Sequence, residues 1–259
     1  MIPRLIHQIY LSGNPPQVLL DNIASLKAAN PNWRHFLYDE AAALDFIKTH
    51  YDRRTLRAFL TIDQRYGAAR ADYLRHLIIY RFGGVYLDIK SFADRPLDDI
   101  IKPDDTYLLS QWTDNGTGDT HQGFGLHRDL KHVVGGEYQT FHIIAAPEHP
   151  FSAAAIERIT RNILGYRPWH SVGRNGVLRT TGPIAYTLAI APIRHAHPHR
   201  MIDYRAEGLQ PSIAYDHFAV FQGHYASLSH PVVRMGPVGR TASGANHRLR
   251  TAARKLIHR

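Results

Sequence analysis

The chain has no cysteine among its 259 residues, which excludes disulfides and cysteine metal sites and suits a reducing compartment. It has no apolar run approaching the ~20 residues that a membrane-crossing helix needs. Met1–Tyr10 is too short and too polar for a secretory leader, so a cytoplasmic protein is expected. Internal repeats and low-complexity linkers are absent as well. One α/β core of the larger single-domain kind is therefore expected, not two independent domains.

Acidic residues stop at Asp216, whereas Arg234, Arg240, Arg248, Arg250, Arg254, Lys255 and Arg259 follow it. With those seven positive charges in the tail, residues 1–216 carry only +2 of the chain's +9. Leu249, Ala252, Ala253, Leu256 and Ile257 fall at i, i+3, i+4, i+7 and i+8, an apolar stripe flanked by basic residues. Residues 234–259 thus read as a basic tail with an amphipathic helix, separate from a domain over 1–233. Such a helix suits an anionic membrane surface, on the cytoplasmic face of the membrane, and suits docking on its own domain equally well. Nucleic acid is disfavoured as a partner, because no aromatics are interleaved with the tail's charges.

What is present is an alternation of strands and helices. Strands are expected at Arg4–Tyr10, Arg34–Tyr38, Tyr107–Gln111 and Thr140–Ala145, and helices at Pro16–Ala29, Ala41–Tyr51, Arg54–Tyr66, Phe151–Leu164 and Gly182–Ala191. A polar loop with several glycines spans Thr113–Gly125. This order predicts a mostly parallel sheet covered on both faces.

The richest stretch is Ala69–Ser91, ARADYLRHLIIYRFGGVYLDIKS. Leu74, Leu77, Ile78 and Tyr80–Phe82 recur at helical spacing, so Asp72 and Arg75 lie on one face of a helix over Ala69–Phe82. Gly83 and Gly84 end it. Val85–Lys90 then reads as a short strand, in which Asp88 and Lys90 point the same way by alternation. A carboxylate at a strand's carboxyl end is a common ligand position.

This stretch resembles the DXD region of glycosyltransferase family 32, the group of fungal initiating α-1,6-mannosyltransferases and many bacterial polysaccharide transferases, and of the related clostridial glucosylating toxins. Asp72, Arg75, Gly83, Gly84, Tyr86 and Asp88 fall on the family pattern with the right spacing. Lys90 departs from it, standing where the family places its second aspartate. Other segments extend the resemblance over about residues 2–230: IPRLIHQIYL at Ile2–Leu11, NPNWRHFLYDE at Asn30–Glu40, FHIIAAPEHPF at Phe141–Phe151, LRTTGPIAYTL at Leu178–Leu188, and HYASL at His224–Leu228, where leucine replaces the expected tryptophan.

The resemblance implies a single-domain GT-A (Rossmann-like) fold. It further implies a retaining glycosyltransferase that moves a hexose from a GDP- or UDP-sugar to a hydroxyl of a glycan or lipid-linked acceptor, in surface polysaccharide synthesis such as capsule or lipopolysaccharide. Donor contacts would come from His7, Gln8, Asp72, Arg75, Gly84, Tyr86, Asp88, Thr181 and Gly182, with Asp88 and Lys90 at the reacting diphosphate. In the family a Mn²⁺ or Mg²⁺ ion meets the charge of the leaving diphosphate, and here Asp88, His224 and Ser227 are the residues that would hold it.

Lys90 exchanges a negative ligand for a positive head, which weakens metal binding and attracts phosphate directly. Three readings stay open: lysine in place of metal, a metal held by the remaining groups, or a catalytically inactive carbohydrate- or nucleotide-binding protein of the same fold. Plainer readings also stand beside the candidates. Asp72 and Arg75 make an ordinary exposed i,i+3 ion pair, Tyr86 packs, His7 is a core histidine, and Thr181–Pro183 form a capping turn. Trp112 and Asp114 occupy a position suited to an acceptor-facing loop. Asp94, Asp98 and Asp99 read as solvent-facing charges around Pro96. RHAHPHR, with His195, His197 and His199, has a spacing that can bind metal, but Pro198 and the arginines favour a solvated loop.

Overall fold

The computed structural model describes residues 1–112, 123–213 and 228–257, with 253–257 described by their backbone alone. Its central sheet takes β1 (Leu5–Ile9), β2 (Arg34–Tyr38), β3 (Gly84–Leu87), β5 (Tyr107–Leu109), β6 (His142–Ala145) and β7 (Arg200–Met201), in the order β2-β1-β3-β6-β5-β7. The pairings β1–β2, β1–β3 and β5–β7 are parallel, and both pairings of β6 are antiparallel. Five strands therefore run one way and β6 runs against them. A small second sheet joins β4 (Phe92–Ala93) to β8 (Leu209–Gln210).

Both faces of the sheet are covered, as a mostly parallel sheet requires. On one face lie α2 (Glu40–His50), α3 (Arg53–Thr61), α4 (Gly67–Phe82), α6 (Pro150–Leu164), α7 (Gly173–Thr180) and α8 (Pro183–Ile190), enclosing Phe46, Phe59, Leu74, Leu77, Tyr86 and Ile143. The other face packs Val85, Leu87 and Ile144 with Leu26 of α1 (Gln17–Ala29), Trp33, and Leu97 and Ile100 of α5 (Leu97–Ile100). Strand alternation divides the two cores: Val85 and Leu87 face one, Tyr86 the other. The chain closes with a C-terminal helix, Pro237–Ile257.

α4 is buried through nearly all of its length, from Ala69 to Ile79 with only Ala71 less covered, so it runs through the interior instead of along the surface. It ends because Gly83 caps it at φ +65°, its amide bonding to Ile79 O, and a β-carbon there would stand 2.7 Å from Pro147. Gly84 follows at φ +96°, where a β-carbon would meet Leu5 O at 2.5 Å. The glycine pair thus lets β3 close on β1 from its first residue, with Asp88 following at the strand's other end.

Two elements and one side chain differ from the sequence expectation. α3 stops at Thr61, because Ile62 bridges to Val233 and the Asp63 amide bonds to Val232 O. β3 ends at Leu87, since the Ser91 amide bonds to Asp88 O at 2.7 Å and folds Asp88–Ser91 into a turn. Asp88 and Lys90 therefore do not alternate along one strand. Asp98 is not merely a solvent-facing charge: it accepts from Trp33 Nε1 at 3.2 Å and Arg4 Nε at 3.1 Å.

Candidate active site

The site is built around the guanidinium of Arg75. Arg75 Nη2 donates to Asp72 Oδ1 at 2.7 Å, its Nη1 lies 3.4 Å from Asp88 Oδ1 and also donates to the Thr140 carbonyl, and its plane lies 4.8 Å from the Tyr86 ring centre. The Tyr86 hydroxyl in turn donates to Asp88 Oδ1 at 2.7 Å. Two carboxylates are thereby joined through one buried arginine, with Asp72 behind and the partly exposed Asp88 in front. Asp72 and Arg75 are only 7% and 5% exposed, so among the described residues they act on the site mainly through Asp88. The exposed-pair reading does not hold.

Behind Asp72 lies the Thr181–Pro183 turn. Thr181 Oγ1 donates to Asp72 Oδ2 at 3.0 Å, and a β-carbon on Gly182 would come within 3.4 Å of the same oxygen. Both residues are buried, and through Thr181 the turn is held to Asp72. Gly84 is buried with its backbone against Leu5 O. His7 is buried in the core. Its Nδ1 pairs with Tyr38 OH and its Nε2 with Gly83 O, both at 3.1 Å, and its ring stacks between Phe36 and Phe82.

The DXD turn is fixed from several sides. The Asp88 amide donates to Phe141 O at 2.7 Å, Gln8 Nε2 reaches to 3.5 Å of Asp88 O, and Gln8 Oε1 pairs with His35 Nε2 at 2.9 Å. Asn22 Nδ2 donates to both Ile89 O and Ser91 O, at 2.9 and 3.0 Å, and Ser91 Oγ donates to Pro211 O. Lys90 O accepts from the Ile213 amide. Asn22 was not singled out in the sequence, although a signal existed: it interrupts the buried stripe Leu19, Ile23, Leu26 of α1 with a polar side chain. The Thr140 carbonyl had no such signal, being backbone.

Burial pushes the Asp72 carboxyl up to about 6 against the pull of Arg75 and Thr181, with Asp88 adding to the rise. Burial also holds the Tyr86 phenol well above its usual range, so it stays protonated and keeps donating to Asp88. The chemistry offered is a preorganised carboxylate at a strand end, suited to receive hydroxyl groups of a sugar or ribose. Lys90 adds a positive charge to the same turn.

The described residues do not fit a divalent ion by themselves. They supply one carboxylate, Asp88, whose Oδ1 already accepts from Tyr86 and faces Arg75, and no group of three His, Asp or Glu residues placed to hold a metal occurs among them. His224, Ser227 and Asp114 lie outside the described residues. The His195–His199 segment makes no such cluster either: His199 Nδ1 pairs with the His197 carbonyl, and nearby His149 bonds Pro198 O and the Phe151 amide. Trp112 is anchored by Nε1 to Glu137 Oε1 at 2.7 Å, with Glu137 Oε2 paired to His127.

Histidine burial gives a testable acid response. Desolvation lowers His7, His35 and His149 to about 4 and His76 and His142 to about 3 from the usual 6.5. Below pH 6.5 the unfolded chain binds protons that these rings refuse, so stability is full above 6.5 and is lost as pH falls towards 4. Asp72, with its raised value, acts with the opposite sign but is one group against five. His76 stacks on Tyr186 with both ring nitrogens buried and unpartnered. His76→Phe is therefore expected to raise stability by about 1–3 kcal/mol and to shallow the acid limb, as read by urea unfolding across pH.

The chain is similar to known proteins in sequence and in fold. Residues 16–107 match the glycosyltransferase sugar-binding region containing the DXD motif. The mannosyl phosphorylinositol ceramide synthase CSH1 of Saccharomyces cerevisiae is 23% identical over 198 residues, 73% of this chain and 49% of that protein. Inositol phosphoceramide mannosyltransferase 3 of Schizosaccharomyces pombe is 30% identical over 102 residues, 39% of this chain and 27% of that protein. The chain thus matches about half or less of the length of these curated relatives. The UDP-bound glycosyltransferase domain of the YGT toxin superposes with a TM-score of 0.52 at 10% identity, covering 82% of this chain and 81% of that domain, which fixes the fold. Residues 16–107 are thus similar to the DXD-containing sugar-binding region of glycosyltransferases, and the chain as a whole has the GT-A fold of that toxin domain.

Proposed function

We propose that the protein transfers a hexose, with retention of configuration, from a nucleotide-diphosphate sugar to a hydroxyl of a lipid-linked acceptor. The observation that carries the reading is Asp88, held at the end of β3 by Tyr86 and Arg75 within the matched DXD region. The names of the matched relatives, which describe mannose transfer to inositol phosphoceramide, make mannose and an inositol-phospholipid headgroup the first donor sugar and acceptor to test. In the reaction, the bond from the anomeric carbon to the diphosphate oxygen breaks with its electron pair leaving on the diphosphate. The acceptor oxygen bonds to the same face of that carbon, and its proton passes to the departing phosphate oxygen.

Charge gathering on the leaving diphosphate needs a cationic partner. We assign part of that role to Lys90, with Asp88 receiving sugar or ribose hydroxyls. Lys90→Asp is then expected to lower transfer by about tenfold or more without added metal and to make activity respond to Mn²⁺, whereas the parent keeps activity in EDTA. A parent strictly dependent on Mn²⁺, alongside a Lys90→Asp variant with no metal response, would overturn the lysine role. The broader reading is tested by a panel of GDP- and UDP-hexoses, with donor hydrolysis and thermal shift recorded together. Selective hydrolysis of one donor supports a transferase. Stabilisation by a nucleotide with no turnover, even once acceptors are added, supports a binding protein instead.

A further inference from the structure

The C-terminal helix spans 21 residues, about 30 Å at 1.5 Å per residue, and carries no acid. It meets the body through small and polar positions. Ser243 is buried, Asn246 Nδ2 donates to Pro168 O at 3.5 Å, and His247, Arg250 and Thr251 line a small cavity with His170, Ser171 and Asn175. Two of its apolar residues face outward instead: Val238 is 85% exposed and Leu249 is 71% exposed. Beside the contact, between Pro168 and His170, stands Trp169, 58% exposed. Arg167 and Arg250 both bear on the His170 ring, their charges helping burial to hold it below its usual value. A docked helix would ordinarily bury its leucine and expose its polar face; here the polar side docks.

We propose that this helix and the Pro168–His170 turn form a surface that seats the protein on an anionic lipid bilayer. Trp169 and Leu249 enter the boundary between headgroups and acyl chains, where an amphipathic indole is favoured, and Arg167, Arg248 and Arg250 meet lipid phosphates. An acid-free basic helix with a narrow apolar stripe lies along a bilayer and does not cross it, and no described helix is long and apolar enough to cross one. The surface also has a direct link to the site. Val172 and Gly173 open α7 beside the helix, and eight residues later, about 12 Å along, the chain reaches Thr181 on Asp72. The inference deepens the lipid-acceptor reading for its purpose, but its test does not depend on it.

The test is sedimentation of the full chain with vesicles of phosphatidylcholine alone and of phosphatidylcholine mixed with phosphatidylserine. Binding is expected only with the anionic mixture, and to weaken with salt. Trp169→Ala with Leu249→Ser, and separately Arg167→Glu with Arg248→Glu, are each expected to weaken it roughly tenfold or more, while donor hydrolysis in solution is unchanged. No vesicle binding by the parent, equal binding by all variants, self-association through this helix, or capture of nucleic acid in preference to vesicles would each overturn the proposal. Vesicle binding without hexosyl transfer to lipid would leave it standing and count against the acceptor reading alone.

Discussion

Asp88→Asn is expected to lower hexosyl transfer by about 100-fold or more while leaving the fold in place. The carboxylate is the one acidic group among the described residues at the front of the site, and its orientation is set by the Tyr86 hydroxyl at 2.7 Å and Arg75 at 3.4 Å. Asparagine keeps an oxygen for Tyr86 but loses the charge that strengthens hydrogen bonds from donor hydroxyls, and a misdirected amide N–H would face the same groups. Stability should change by no more than about 1 kcal/mol, because Asp88 is partly exposed and its ion pair with Arg75 is the longer of the two. Steady-state transfer alongside urea unfolding separates the two effects. A variant with near-parental turnover would remove Asp88 from the donor site.

Arg75→Met should act the other way round, on stability first. The guanidinium is about 5% exposed and satisfies Asp72, Asp88 and the Thr140 carbonyl together, so its removal strands a buried carboxylate and a buried carbonyl. Breaking a buried pair by deleting one partner costs about 3–5 kcal/mol. Adding Asp72→Asn should recover part of that loss, since the amide can still accept from Thr181 without carrying an unpaired charge. Chemical denaturation of the parent, both single variants and the double variant closes the cycle. Simple additivity would mean that Arg75 and Asp72 do not form the coupled unit described.

The long elements were legible because their signals are local. The 3.6-residue recurrence through Leu74 and Ile78 and the glycine pair that follows place α4 within two residues of its observed start, and β2 falls on Arg34–Tyr38 as expected. α7 was not read, because GRNGVLRT carries two glycines and little apolar periodicity; it is stabilised by its packing on its neighbours. β7 and β8, at two residues each, are too short to show a period. Asp72, Arg75, Tyr86 and Asp88 were singled out by the resemblance to the family pattern, yet their hierarchy was not. Which carboxylate lies behind and which in front depends on a turn closed by the Ser91 amide and on a threonine 109 residues from Asp72. The same turn overrides the two-residue alternation expected of Asp88 and Lys90. Asn22, Thr181 and the Thr140 carbonyl act through contacts that only the folded chain brings together.

The account's central claim is turnover at Asp88 towards a lipid acceptor, and its most direct test is mass spectrometry of inositol phospholipid, presented in anionic vesicles, after incubation with the full chain and GDP-mannose or each UDP-hexose in turn. The account predicts a lipid heavier by one hexose from one donor of the panel, absent with Asp88→Asn. A nucleotide that binds and stabilises the protein with no glycosylated lipid from any donor would contradict it.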